Sequence, residues 1–521
     1  MNARIPPVLR PEHPSPRPLA ALVAEFDIPS RGRLDGVELT GVTLSSREVR
    51  PGDLYVGIRG AHSHGASFAA QAAEAGAVAI MTDAEGAELA AESGLPTLIV
   101  DSPRGALGEV SAWVYRTRED APMLFATTGT NGKTTTSYLL EGMLRQLGFV
   151  TGLSSTAERH IGSLSVVSRL TTPEASEMHA LLARMREAGV RAVAVEVSAQ
   201  ALSRQRVDGL WFDIAGFTNL SHDHLDDYAD MEEYFQAKLA LFDPDRAGRG
   251  VVSLDSPYGS RVVEGSRIPV TTIAMEGGEP AEWTVRILDE QPAFTEFALD
   301  GPDGRSLTTR VPLIGRHIAA DAALAIVMLV EAGFDLDAIA HALAHHEDGT
   351  DGPSMIDAYL PGRTERVSGD RGPTVYVDFG HSPDAFLNTL AAVRTVTPGR
   401  VIMVFGADGD RDATKRHEMG RIGSEYSDVL VITDHHPRFE DPASIRATLL
   451  EGAALAEHPA EVHEVSPPEK AIRAAVALAG EGDSILWAGP GHQDYRDIEG
   501  VRTPYSARDE ARMALAEAGW A

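Results

Sequence analysis

Residues 123–148, MLFATTGTNGKTTTSYLLEGMLRQLG, constrain this chain more than any other stretch. A short apolar run enters a loop of small residues and an amphipathic segment leaves it, which predicts strand, phosphate loop and helix. Small residues let backbone N–H groups converge on phosphate oxygens, and the helix that follows turns its positive end toward them. Lys133 is placed to reach the β- and γ-phosphates, and the Thr134 hydroxyl to ligate magnesium. The general pattern wants glycine five residues before Gly132, where this chain has Thr127. The loop is therefore a variant of the general form.

A chain of 521 residues exceeds one ordinary core, and three α/β domains are expected. Residues 1–20 read as a flexible Pro-rich lead, 21–118 as a small N-terminal domain, 119–361 as a central ATPase domain on a parallel sheet, and 362–521 as a Rossmann-like domain. From Leu34 to Pro103, β-rich runs such as DLYVGI and AVAIMT alternate with Ala-rich helical stretches. RAVAVEVS and FDIAGFTNL are continuous and β-branched, as buried parallel strands are. Around 265–312 the pattern alternates, in EWTVRI and AFTEFAL, and predicts an antiparallel patch on the edge of the central sheet. Beyond Pro361–Gly362, TVYVDFG, RVIMVFG, DVLVITD and SILWAGP alternate with helical segments, a doubly wound pattern.

The formal charge of −30 argues against nucleic acid and anionic membranes as partners, since both need a positive footprint. It leaves small anionic substrates open, and an acidic surface also serves solubility. With no cysteine, disulfides, thiolate metal sites and thiol catalysis are excluded. The first residues lack the apolar core of a signal peptide, and no run approaches the roughly 18 apolar residues of a membrane span. A cytoplasmic monomer acting on small molecules is expected, without membrane insertion.

The TGTNGKTT loop resembles that of the Mur ligases, and further pieces of the same family follow in order. Ser45-Ser46-Arg47 and Arg50-Pro51-Gly52-Asp53-Leu54-Tyr55-Val56 look like the segment that holds the UDP moiety. Thr171-Thr172-Pro173-Glu174, Glu196-Val197-Ser198 and Arg206-Val207 resemble muramoyl-peptide contacts and a magnesium-binding glutamate. Phe217-Thr218-Asn219-Leu220, His222-Asp223-His224 and Tyr234-Phe235-Gln236-Ala237-Lys238 resemble the block with a metal-binding histidine and a carbamylated lysine. Pro361-Gly362-Arg363, Asp378 and His381-Ser382-Pro383-Asp384-Ala385 resemble the nucleotide-binding start of the last domain. The resemblance implies an ATP-dependent amide ligase. ATP would lie on Gly129, Thr130, Asn131, Gly132, Lys133, Thr134 and Thr135 with Arg363, Asp378 and His381. Lys133, Glu196, His224 and Lys238 would carry catalysis, and Thr134, Glu196, His224 and carbamylated Lys238 would hold magnesium. Ser46, Arg47, Thr171, Thr172, Ser198 and Arg206 would bind the UDP-substrate. Taken alone, a histidine beside an aspartate or a helix lysine is ordinarily a solvated or hydrogen-bonded residue, so these roles rest on the family.

The spacing most resembles the branch that adds the third amino acid to UDP-N-acetylmuramoyl-L-alanyl-D-glutamate, in peptidoglycan precursor synthesis. Arg411, His435, His436, Arg438, Gly489 and Gln493 would then meet the incoming amino acid, Arg438 standing for the arginine of a DNPR motif selective for meso-diaminopimelate. The motif's Asp-Asn is here His435-His436, and a usual GKGHE is Gly489-Pro490-Gly491-His492-Gln493. Loss of both acids removes charge that would hold a distal ammonium, so a third residue other than diaminopimelate, such as homoserine, is expected. Asp434 or Asp494 could still serve lysine, ornithine or diaminobutyrate, and Arg438 keeps diaminopimelate open. Ile318 and Asp321 stand where asparagines usually flank the adenine, Leu170 precedes TTPE, and Gln200 replaces a histidine. Rival readings are another Mur-type branch, D-Ala-D-Ala-adding or folylpolyglutamate-like, and a silent nucleotide-binding relative.

Overall fold

The computed structural model describes residues 8–223, 225, 227–345 and 352–520. Three sheets organise the chain. In the first, β1 (Ser30–Arg31), β2 (Gly41–Thr43), β3 (Asp53–Gly57), β4 (Ala79–Thr82) and β5 (Thr97–Ile99) lie in the order β1-β5-β4-β3-β2, parallel except for β1. Helix α1 (Pro103–Tyr115) covers one face. Ser102 caps it by accepting from Gly105 N, Pro103 sits in its first turn, and Leu107, Val110 and Val114 are buried against the sheet.

The central sheet has eleven strands: β6 (Met123–Thr128), β7 (Thr151–Ser154), β8 (Glu158–Ile161), β9 (Leu164–Val167), β10 (Ala192–Glu196), β11 (Phe212–Phe217), β12 (Ala247–Ser253), β13 (Val270–Met275), β14 (Trp283–Gln291), β15 (Phe294–Asp300) and β16 (Ser306–Val311). Their order is β9-β8-β7-β10-β6-β11-β12-β13-β14-β15-β16. From β7 to β14 the strands run parallel. Every residue of β10 is buried, as its unbroken apolar run requires of a strand covered on both faces. Helices α2 (Lys133–Gln146) and α5 (Arg316–Glu331) pack on one face, α3 (Ala175–Glu187) and α4 (Met231–Leu239) on the other. Antiparallel β14, β15 and β16 form the expected edge. Val270–Met275, by contrast, joins the parallel part. A second antiparallel flank, β7-β8-β9, closes the other edge.

The third sheet is β17 (Glu365–Arg366), β18 (Thr374–Asp378), β19 (Val401–Phe405), β20 (Val429–Ile432), β21 (Glu461–Glu464) and β22 (Ser484–Ala488), in the order β17-β18-β22-β19-β20-β21. All but β17 are parallel, with α6 (Pro383–Thr395) and α7 (Arg416–Glu425) on one face. The α/β architecture in three units is the one expected.

The lead differs from its reading as a flexible segment. Over residues 8–20 it is pinned: Arg10 Nη1 donates to both Asp53 oxygens at 2.8 and 2.6 Å, and Arg17 lies 3.4 Å from the Trp113 ring centroid while donating to its carbonyl at 2.6 Å. Prolines make this stretch look unstructured, but its arginines find partners in buried Asp53 and half-buried Trp113. Among the described residues, no helix is long and apolar enough to cross a membrane.

Candidate active site

The ends of the central and third sheets face one cleft of about 1010 Å³. Carboxyl-terminal strand ends and the loops beyond them are where such sheets bind ligands. The phosphate loop leaves β6 and opens α2. Gly129 and Gly132 sit at φ 150° and 86°, and a Cβ at either would fall 1.9 Å from Thr218 Oγ1 or 2.4 Å from Asp321 Oδ1. No other residue fits. The loop is clamped from β11: Thr130 N donates to Asn219 O at 2.9 Å, Thr218 Oγ1 to Asn131 O at 2.6 Å, and Asn131 N to Asn219 Oδ1 at 3.0 Å.

Lys133 Nζ lies across its own loop, donating to the Gly129 and Thr130 carbonyls at 3.0 and 2.8 Å. Burial lowers its pKa, against the opposing pull of Glu196 and Asp223. Thr134 Oγ1 donates to Glu196 Oε1 at 3.0 Å. Glu196, at the end of β10, also accepts from Thr156 N and Oγ1 at 2.7 and 2.9 Å, which fixes its carboxylate. Lys238 on α4 is fully buried, and its Nζ donates to Gly129 O at 2.6 Å. Burial, helped by the charge of Lys133, drives its pKa well down, which favours the neutral, nucleophilic amine. Hard oxygen donors, Thr134 and Glu196, thus stand together beside an amine able to take up CO₂, a set suited to magnesium. His224 lies outside the described residues.

The third domain closes onto this loop. Arg363 Nη2 donates to Thr134 Oγ1 at 2.8 Å, and Lys415 Nζ pairs with Asp223 at 3.2 Å. Asp378 does not reach out: it accepts from Thr364 N, Thr364 Oγ1 and Gly380 N at 2.8, 3.2 and 2.6 Å, shaping the turn that presents His381. Burial lowers the His381 pKa, with Lys415 adding to the effect. Asp321 lies under Gly132 and is pushed up to about 7 by burial, against Arg363 and Lys133.

Thr130 to Thr135 line the cleft together with Thr171, Glu196, Ser198 and Arg206, and across it stand Arg363, Asp378, His381, Arg411, His435, Arg438, Gly489 and Gln493. Others play supporting parts. Thr172, fully buried, donates to the Glu196 carbonyl at 2.7 Å, and Arg206 pairs with Glu174 at 3.0 Å. Ser46 and Arg47 lie outside this cleft, on the first domain, where Ser46 Oγ donates to Gln71 at 3.1 Å. His436 sits behind the wall. It accepts from Asp497 N at Nδ1 (3.0 Å), so Nε2 carries the proton and donates to Gln493 Oε1 at 2.8 Å. Burial, with His435 beside it, lowers its pKa to about 3 and keeps it neutral. Two residues escaped the sequence reading, Thr156 and Asp408. Asp408, beyond β19, lines the cleft opposite Arg438 and His435.

Family models match the chain in three consecutive parts: "Mur ligase family, catalytic domain" over residues 38–115, "Mur ligase middle domain" over 127–329 and "Mur ligase, glutamate ligase domain" over 362–491. The chain is similar, at 62% identity over 520 residues and 100% of both chains, to a UDP-N-acetylmuramyl-tripeptide synthetase of Leifsonia xyli subsp. xyli. It is 44% identical to a UDP-N-acetylmuramoyl-L-alanyl-D-glutamate–2,6-diaminopimelate ligase of Streptomyces avermitilis, over 97% of this chain and 98% of that one. A solved structure of a ligase of the latter name superposes with a TM-score of 0.65 at 25% identity, covering 97% of this chain and 100% of the other.

Proposed function

The chain belongs to the Mur ligase family, an ATP-dependent, amide-forming ligase family, and from that premise we propose that it joins the third amino acid to UDP-N-acetylmuramoyl-L-alanyl-D-glutamate. Its place is peptidoglycan precursor synthesis. The observation that carries this reading is one continuous cleft with the phosphate loop and Glu196 at one end and Arg411, His435, Arg438 and Gln493 at the other. A carboxyl can be activated at the first end and met by an amine from the second. Full-length likeness to a tripeptide synthetase supports this branch over the D-Ala-D-Ala-adding and folate branches.

The D-glutamate carboxylate attacks the γ-phosphorus of ATP, the bond to the bridging oxygen breaks, and ADP leaves. The free amine then adds to the acyl phosphate carbonyl, loses its proton, and expels inorganic phosphate as the amide forms. Lys133 and the N–H groups at the head of α2 stabilise the charge that builds on the transferring phosphoryl group. Doing so requires Lys133 to exchange the Gly129 and Thr130 carbonyls for phosphate oxygens. Magnesium, when bound, adds cationic charge against the same oxygens. Thr134, Glu196 and carbamylated Lys238, with His224, would hold it. Arg363 and His381 bring the third domain's groups to the nucleotide, and closure excludes water from the acyl phosphate. The changed His435, His436 and Gln493 positions support an amino acid other than diaminopimelate.

The test is ATP-dependent phosphate release with UDP-N-acetylmuramoyl-L-alanyl-D-glutamate and single amino acids. Release that needs both the nucleotide-sugar and one amino acid is the expected result. Silence across a broad panel from folded protein overturns the reading.

A further inference from the structure

We propose that Asp408 selects the third amino acid, and that its side chain ends in an ammonium with no carboxylate beside it. The inference rests on the ligase reading above and concerns which amine the cleft admits.

Loss of the two acids from the 435–438 and 489–493 motifs removes negative charge from this end of the cleft in sequence. In space a different residue supplies it. Asp408 follows β19 in the loop Gly406-Ala407-Asp408-Gly409, and the loop is held tightly. Gly409 N donates to His436 O at 2.8 Å, and Arg416, itself paired with Glu440, donates to the Asp408 carbonyl at 2.8 Å. The carboxylate faces the cleft with Arg438 and His435 around it. Oδ2 accepts one long bond from Arg438 Nη2 at 3.4 Å; Oδ1 accepts none, with His435 Nδ1 at 3.6 Å. Burial works to raise this carboxyl's pKa, but His435 and Arg438 outweigh it and hold it below the usual aspartate value.

A shielded carboxylate so poorly supplied with donors gains most from a charge-assisted partner. The two acids nearest in sequence to the altered motifs are committed. Asp434 binds Arg446 and Ser466, and Asp494 pairs with Arg508 at 2.9 Å. A hydroxyl side chain offers Asp408 a single neutral donor. A diaminopimelate offers an ammonium but also a second carboxylate. To reach Arg438, that carboxylate must come to rest beside Asp408, which lies 3.4 Å from the guanidinium, so two like charges meet in a partly desolvated space. A side chain with ammonium alone avoids the clash.

The experiment measures phosphate release by the full chain and its Asp408→Asn variant, with UDP-N-acetylmuramoyl-L-alanyl-D-glutamate and diaminobutyrate, ornithine, lysine, homoserine or meso-diaminopimelate. For the wild type, kcat/KM highest with one of the three simple diamino acids is expected. In Asp408→Asn the KM for that amino acid should rise by about tenfold or more, as loss of a charge-assisted hydrogen bond implies, while the KM for ATP moves little. Asp408→Glu should restore part of the loss. Wild-type preference for homoserine or diaminopimelate overturns the inference and leaves the ligase reading standing. An unchanged KM in a folded Asp408→Asn also overturns it. No release with any amino acid overturns both.

Discussion

Asn131 donates from Nδ2 to Asp384 Oδ2 at 3.0 Å, joining the phosphate loop of the central domain to the first turn of α6 in the third. The bond ties the two walls of the cleft at the point where nucleotide phosphates are expected.

Asp384→Ala removes a hydrogen bond to a charged acceptor, so kcat/KM for ATP should drop by roughly ten- to a hundredfold. Steady-state kinetics with ATP varied will read this. Thermal stability should hardly change, and Asn131→Ala on top of it should cost little more, because one bond is lost once.

Asp321 gives a pH signature. Its native pKa is raised to about 7 from the ordinary aspartate value of 3.8, so the folded chain binds a proton that the unfolded chain has already released over that window. Stability therefore falls as pH climbs from about 4 to about 7 and is flat beyond, through a few kcal/mol at most. Asp321→Asn is expected to lie above the wild type by a margin that widens across this range, measured by urea unfolding at several pH values. A constant offset would show that Asp321 does not carry the proton.

The buried Lys238 amine yields a third expectation. Activity should decline in CO₂-depleted buffer and recover with bicarbonate. Lys238→Ala should lose about a hundredfold or more in kcat, and short carboxylic acids should return part of it by standing in for the missing oxygen ligand. Full activity of Lys238→Ala would remove the residue from the chemistry.

Arg10 and Asp53 bear on stability rather than turnover. Asp53 takes both Arg10 bonds and one from Arg50 N at 2.8 Å. Asp53→Ala leaves a buried guanidinium unpaired and should cost about 3–5 kcal/mol in the first domain. A chain with Arg10→Met and Asp53→Leu together should lose less, as followed by denaturant unfolding.

How much of this could be read from the chain alone depends on how local each signal is. The loop of residues 128–134 is contiguous, and its glycines, lysine and threonine declare strand, turn and helix within a few positions. The Arg50–Val56 segment was legible as a motif, though not the reason for Asp53, because its partner Arg10 lies in a stretch that prolines disguise. Asp408 was missed. Its meaning depends on loops after β19 and β20 meeting in space, and nothing at 406–409 marks it as the acid opposite 435–438. Thr156, which orients Glu196, sits in a turn with no pattern of its own. The short strands β8 and β9 carry too few residues for alternation to stand out.

The cleft's two ends belong to different sheets, and that has a consequence for how such a chain can change over generations. On the proposed reading, activation of a carboxyl is encoded in residues that surround β6 and β10, and acceptance of an amine in loop tips after β19, β20 and β22. On that reading, exchanges at those tips would change which amine is accepted while the machinery that spends ATP stays as it was. In this chain His435 stands opposite Asp408, and under the Asp408 proposal a single charge relocated among those tips would change the amine admitted with neither the fold nor the energy source disturbed.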